Sequence, residues 1–319
     1  TFDYTASGRQ NKITASDGVS GGYFGYSVAI SGDTVVVGNV AGGNFQSSAP
    51  QGSAYVFVLS NNSWVLQQKL TATDGASFDG FGYSVSISGD TIAVGAKHLA
   101  SNNISQGSAY VFVRSSNTWT QQQKLTASDG ASNDYFGSSI FVSIDTIVVG
   151  AYSDDNGSNT DQGSAYVFVR SSNTWTQQQK LIASDGASGD YFGSSVSISI
   201  DTIVVGSYYD TVGSNSSQGS AYVFVRSNNT WTQQQKITAS DGTSSDYFGY
   251  SVSISGDTIA VGSYNDAAGS NSSQGSAYVF VRSNNTWTQQ QQITAHDAAY
   301  GDYFGYSVSI SGDSLAIGA

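Results

Sequence analysis

An all-β architecture, assembled from one repeated four-stranded unit, is what these 319 residues predict. Three observations carry that expectation. The composition comes first: 37 Gly, 1 Pro, no Cys, no Met, only 7 Leu, and 23 acidic residues that are all Asp. Good helix formers are scarce, and turn formers, β-branched residues and aromatics are abundant. Second, a Phe-Gly pair recurs with its Phe at 24, 81, 136, 192, 248 and 304, so the period is 55 to 57 residues. Third, Gly52, Gly107, Gly163, Gly219 and Gly275 of a Gln-Gly-Ser-Ala-Tyr-Val-Phe motif keep the same register, as do Trp64, Trp119, Trp175, Trp231 and Trp287. A period of this length, with four strand-like stretches inside it, predicts a six-bladed β-propeller with four antiparallel strands per blade.

Within each repeat the first strand alternates small polar residues with Val and Ile, as in Tyr250 to Ser255. The second, as in Asp257 to Gly262, is more continuously apolar and suits burial on both faces. The third puts Tyr278 and Phe280 on one face and Val279 and Val281 on the other. The fourth, Thr286 to Ile293, is rich in Gln and reads as an outer edge facing water. Ser-Gly-Asp and Ser-Asn-Asn turns join strands one to two and three to four.

Repeats start near residues 17, 74, 129, 185, 241 and 297, and residues 1–319 form one domain. The last repeat stops after its second strand, at Ala319. Lys12 to Gly18 matches the end of a fourth strand, as in Lys236 to Gly242, and Phe2 and Tyr4 alternate like Tyr55 and Phe57. Residues 1–16 are therefore expected to complete the blade begun by residues 303–319, which closes the ring without an open sheet edge. The closing blade lacks the Trp and carries Asp3 where its siblings have Val.

The absence of cysteine removes disulfides, thiolate metal sites and cysteine nucleophiles. A net charge of −12 argues against nucleic acid and anionic membranes as partners. No apolar run approaches the roughly 18 residues that a membrane-spanning helix needs, so no membrane insertion is expected. The chain starts at Thr1, which suits removal of an upstream segment such as a secretory signal. His98 and His296 are the only histidines and belong to no catalytic constellation, so no enzyme activity and no required cofactor are expected.

The stretch Asp246 to Ser263, Asp-Tyr-Phe-Gly-Tyr-Ser-Val-Ser-Ile-Ser-Gly-Asp-Thr-Ile-Ala-Val-Gly-Ser, and its five counterparts resemble the FG-GAP repeat family. The best-known members of that family form the propeller of integrin α subunits. Gly95-Ala96, Gly150-Ala151 and Gly318-Ala319 supply the second half of the signature; no Pro follows the first two, and the third stands at the last residues of the sequence. The resemblance implies an extracellular or cell-surface binding or structural role, not catalysis.

Family members often carry calcium loops of the form Asp-x-Asp-x-Asp-Gly, and this sequence has no such run. It has pairs five residues apart: Asp74 with Asp79, Asp129 with Asp134, Asp185 with Asp190, Asp241 with Asp246, and Asp297 with Asp302. Such pairs, with backbone carbonyls, are candidate Ca²⁺ ligands. Equally, Asp-Gly makes a tight turn and the second Asp can accept hydrogen bonds from the turn's own N–H groups.

Propeller topology gathers the loops after strands four and two on one face, with Asp154, Asp155, Asp161, Asp210 and Asp266 in the latter. Arg114, Arg170, Arg226 and Arg282 lie toward the opposite face, so the two faces form a candidate contact surface for head-to-tail stacking. Candidate N-glycosylation sequons start at Asn61, Asn103, Asn156, Asn215, Asn228, Asn271 and Asn284. The preferred functional reading is a non-enzymatic extracellular structural or adhesive module, with self-association into filaments as one form. The alternatives are a multivalent glycan-binding propeller and an integrin-like protein-binding propeller stabilised by calcium.

Overall fold

The computed structural model describes residues 12–18, 22–40, 51–97, 106–267 and 273–319. Every regular element among them is a β-strand. Five successive repeats each fold into a four-stranded antiparallel sheet whose strands lie in chain order, and the sixth contributes a two-stranded sheet, Ser307–Ser311 with Ser314–Gly318. Phe2, Asp3 and Tyr4, the expected third strand of the sixth sheet, lie outside the described residues.

The alternation seen in the sequence sets what each sheet does with its two faces. In the third sheet, the second strand Thr146–Ala151 is buried throughout, and the third strand Ser164–Ser171 is buried up to Phe168. One face then packs on the sheet before and the other on the sheet after. Four apolar clusters fill the four gaps between the five complete sheets. In the second gap, Ala109, Val111 and Leu125 of one sheet meet Ile147, Val149, Phe168 and Trp175 of the next. A fifth cluster sets Val35, Val37, Tyr55 and Phe57 of the first sheet against Ile13 and Ala15.

The Phe-Gly and Gln-Gly signatures stitch sheet to sheet. Phe192 N–H donates to the Gln162 carbonyl at 2.9 Å, and Gly163 forms an isolated parallel bridge with Phe192. Gly193 has φ +91°, and a Cβ there would lie 2.2 Å from the Ser164 carbonyl oxygen, so only glycine allows this approach. The same Phe N–H to Gln carbonyl bond recurs at Phe81, Phe136, Phe248 and Phe304.

The glutamine-rich fourth strand is the main departure from the sequence reading. It is not simply a wet edge. Its pairing with the third strand skips one residue, and the skipped residue is a Gln: 67, 122, 178 or 234. This bulge re-aims the Gln toward the following sheet, where its Oε1 accepts the indole N–H of Trp119, Trp175, Trp231 or Trp287 at 2.8–3.0 Å. The next residue, Gln68, Gln123, Gln179 or Gln235, holds both backbone groups of that Trp, as in Gln179 Nε2 to Trp231 O at 2.7 Å and Trp231 N to Gln179 Oε1 at 2.8 Å. Polarity in this strand serves a buried, satisfied network.

Candidate functional site

Three sets of functional side chains recur from sheet to sheet, and a fourth is shared between them. The first set lies where the loop after strand four meets the loop after strand two. Lys180 Nζ sits 2.7 Å from Asp129 Oδ2 and 2.6 Å from Asp154 Oδ2, and the Tyr166 hydroxyl donates to both carboxylates. Lys236, Asp185, Asp210 and Tyr222 repeat the arrangement. Burial works against ionisation of Asp129 and Asp185. The ammonium and phenol beside each outweigh it and hold both carboxyls below their ordinary range.

Lys124 pairs with Asp74 at 2.6 Å and Lys69 with Asp17 at 2.5 Å, where only one carboxylate is supplied. In the fifth sheet Gln292 replaces the Lys and donates to Asp266 Oδ2 and the Tyr278 hydroxyl, both at 3.0 Å.

The second member of each sequence-predicted Asp pair has a separate task. Asp79, Asp134, Asp190, Asp246 and Asp302 accept the backbone N–H three residues earlier and close the turn. Asp134 is 3 % exposed, and burial, with the nearby Asp154, pushes its carboxyl up to about 6. Burial also raises Asp190 and Asp246. Within each pair the second carboxylate is thus committed to its own turn. In the second, third and fourth sheets an ammonium already occupies the first carboxylate. Asp297 and Asp302 lie on an exposed loop, and Asp241 bonds the Tyr278 hydroxyl. Among the described residues no group of three or more acidic or His side chains is arranged to hold a metal.

Burial also changes the candidate contact surface. Asp154, Asp210 and Asp266 are 3–6 % exposed and belong to these inner clusters, while Asp155 is exposed and Asp161 half-buried. The reason is the Lys or Gln projecting from the fourth strand beneath each of them. On the opposite face Arg114, Arg170, Arg226 and Arg282 do not form a free basic ring. Each pairs at 2.5–2.7 Å with the turn Asp of its own sheet (Asp90, Asp145, Asp201, Asp257) and lies over a Trp ring. Ile144 and Ile200, 68 % and 69 % exposed, are the most exposed apolar side chains at the turns of that face among the described residues. Both stand in the left-handed region, at φ 54° and 56°, where other repeats carry Gly.

Among the sequons, Asn61, Asn228 and Asn284 are exposed at tight turns. The amide nitrogens of Asn156 and Asn215 are instead tied to neighbouring carbonyls at 3.0 Å. Asn103, Asn271 and His98 lie outside the described residues.

The shared feature was not foreseen from sequence. The first strands of all six sheets line one cavity of about 760 Å³. Tyr26, Tyr83 and Tyr250 line it, and Tyr250 belongs to a belt of tyrosines whose successive ring centroids, from Tyr152 through Tyr191, Tyr208 and Tyr250 to Tyr306, lie 5.4, 6.0, 5.2 and 4.8 Å apart. Tyr135, Tyr191, Tyr247 and Tyr303 hold φ 56–58°, an unusual conformation for an aromatic residue. Tyr26 and Tyr83 form a further pair at 4.9 Å. Lys97 spans the interval by lying over Tyr83, Tyr135 and Tyr152 at 4.4–5.3 Å, and burial lowers its pKa. A Tyr count of 20 was visible in the sequence, but which of them share a rim depends on sheet packing.

A family model described as FG-GAP repeat matches residues 8–57, 64–112, 119–168, 175–224, 231–280 and 287–319. A comparison with curated proteins gave no significant match.

Proposed function

The chain belongs to the FG-GAP repeat family, and from that premise we propose that it is a non-enzymatic, extracellular structural or adhesive module, folded as one closed six-bladed β-propeller. The observation that carries the reading is the equivalence of the repeats. The Asp–Lys–Tyr, Gln–Trp and Arg–Asp sets recur at matching positions and are committed to holding sheets together. Repetition of that kind suits a rigid spacer or contact platform, whereas catalysis calls for one unique, asymmetric constellation.

Closure is supported by three features. The cavity is lined by strands from the first and sixth sheets alike. Ile13 and Ala15 pack on the first sheet as a preceding sheet would. Asp17 accepts from the Tyr55 hydroxyl at 2.6 Å, matching Asp129 with Tyr166 two repeats on. In this reading residues 1–16 complete the sheet begun by residues 303–319, and residues 1–11, outside the described residues, are the part to remove in a test. Deleting them lowers the melting temperature sharply. An unchanged melting temperature overturns closure.

The self-association reading rests on Ile144 and Ile200, two adjacent apolar points kept exposed in a conformation that disfavours β-branched residues. Sedimentation and electron microscopy across a concentration series test it directly. Ordered polymers that disappear in an Ile144→Gly, Ile200→Gly double variant support it, and dispersed monomers throughout overturn it.

A further inference from the structure

We propose that the rim of the central cavity is an oxidative modification site, at which Tyr26 couples to Tyr83 and Tyr250 to Tyr306 as intramolecular dityrosine links between neighbouring sheets. The first observation is compositional. With no Cys and no Met, the side chains that usually absorb oxidation are absent. Trp119, Trp175, Trp231 and Trp287 are each only 2 % exposed. Apart from the half-buried Trp64, tyrosine is thus the main accessible oxidisable group among the described residues, and the sequence holds 20.

The second observation is geometric. Tyr26 and Tyr83 have ring centroids 4.9 Å apart at 45°, and Tyr250 and Tyr306 are 4.8 Å apart at 49°. Among the described residues these are the closest tyrosine pairs joining two sheets. Within each pair the rings are tilted rather than T-shaped. Burial first, and the neighbouring phenol next, raise the pKa of Tyr26 and of Tyr250. A dityrosine link joins the ring carbons ortho to the two hydroxyls, and a close, tilted pair lets two such carbons meet through a small ring rotation. The T-shaped pairs, such as Tyr250 with Tyr264 at 66°, turn an edge to a face instead.

The third observation is placement. Tyr26 and Tyr306 are 51 % and 52 % exposed, open to an oxidant, whereas Tyr83 and Tyr250 are half-buried and held. All four follow a Phe-Gly pair, in the first, second, fifth and sixth repeats, where the third and fourth carry Ser138 and Ser194. The links would staple the two end repeats to their neighbours. The belt from Tyr152 to Tyr306, with no centroid gap above 6.0 Å, lets an electron vacancy formed elsewhere on the rim migrate to a pair where coupling traps it.

The co-reactant is a peroxide used by a one-electron oxidant such as a haem peroxidase. Each phenol loses one electron and its hydroxyl proton. The two phenoxyl radicals form a carbon–carbon bond at their ortho positions. The two ring hydrogens displaced there return to the oxygens as aromaticity is restored. The two electrons and two protons reduce hydrogen peroxide to two waters.

The test treats dilute full-length protein with a haem peroxidase and hydrogen peroxide. Dityrosine fluorescence and peptide mass mapping of the monomeric fraction are the readouts. Expected are two cross-linked peptides, Tyr26 with Tyr83 and Tyr250 with Tyr306, each lighter by two hydrogens. A Tyr26→Phe, Tyr306→Phe variant, which keeps the ring packing, should lose most of the fluorescence. The single Tyr306→Phe variant should lose only the Tyr250 link, which keeps the test valid should the double variant be unstable. Links confined to other tyrosines, links only between molecules, or undiminished fluorescence in the variants each overturn the proposal.

Discussion

The second sheet and the first carry nearly the same inner strand, and they use it differently. Val85 and Ile87 are 8 % and 7 % exposed, whereas their counterparts Val28 and Ile30 are 60 % and 63 % exposed. The sixth sheet repeats the contrast, with the strand Ser307–Ser311 alternating between exposed and half-buried. The residues did not change; the neighbours did. A repeat of this type cannot bury its own faces, so its stability lies in the interfaces between sheets, as expected of a repeat architecture.

The sharpest way to break the comparison is one glycine. Gly193→Ala places a methyl 2.2 Å from the Ser164 carbonyl at φ +91°, so backbone must move. A loss above about 4 kcal/mol is expected, in the range reached only by such disruptions. Gly25 has φ +92° with none of the described residues within 4 Å of a Cβ, so Gly25→Ala should show only the cost of the left-handed conformation, about 1–2 kcal/mol. Urea denaturation of both variants, each with and without residues 1–11, measures the difference. A Gly25→Ala cost that rises to match Gly193→Ala in the full chain would reveal how closely those residues approach.

An intermediate effect is expected from glutamine. Gln179→Ala strips both backbone partners from Trp231, so a loss of about 1–3 kcal/mol should follow. Gln291 occupies the same position in the fifth sheet but is exposed, and Gln291→Ala should leave the denaturation midpoint within error. Equal costs at the two positions would mean that the fifth sheet also has a partner gripping its edge.

The smallest effect is a slope. Asp134, buried between sheets, has its carboxyl raised to about 6, so the folded chain holds a proton that the unfolded chain has released between about pH 4 and 6. Its contribution to stability is greatest at the acidic end of that window and declines as pH rises through it. Asp134→Asn should flatten the melting temperature across pH 4 to 7 while keeping an oxygen to accept the Ala131 N–H. An unaltered slope would place the effect on other groups. Asp302 closes the equivalent turn in the open at the end of the chain.

The amino-acid sequence by itself determined the strands, the turns and the sixfold period, because alternation of Val and Ile with small residues and paired turn residues act locally. It also marked Phe-Gly and Gln-Gly as recurring signatures, whereas the need for glycine there came from the close approach of neighbouring sheets. Only the tertiary structure decided what the polar residues do. Gln178 reads as a solvated strand residue until a one-residue bulge turns it onto Trp231. Asp154 reads as surface charge until Lys180 rises beneath it. Tyr26 and Tyr83, 57 positions apart, become a pair only because consecutive sheets converge on one cavity. Local pattern fixes which faces are apolar, but the partner of a polar group is set by whichever distant segment packing brings within hydrogen-bonding distance.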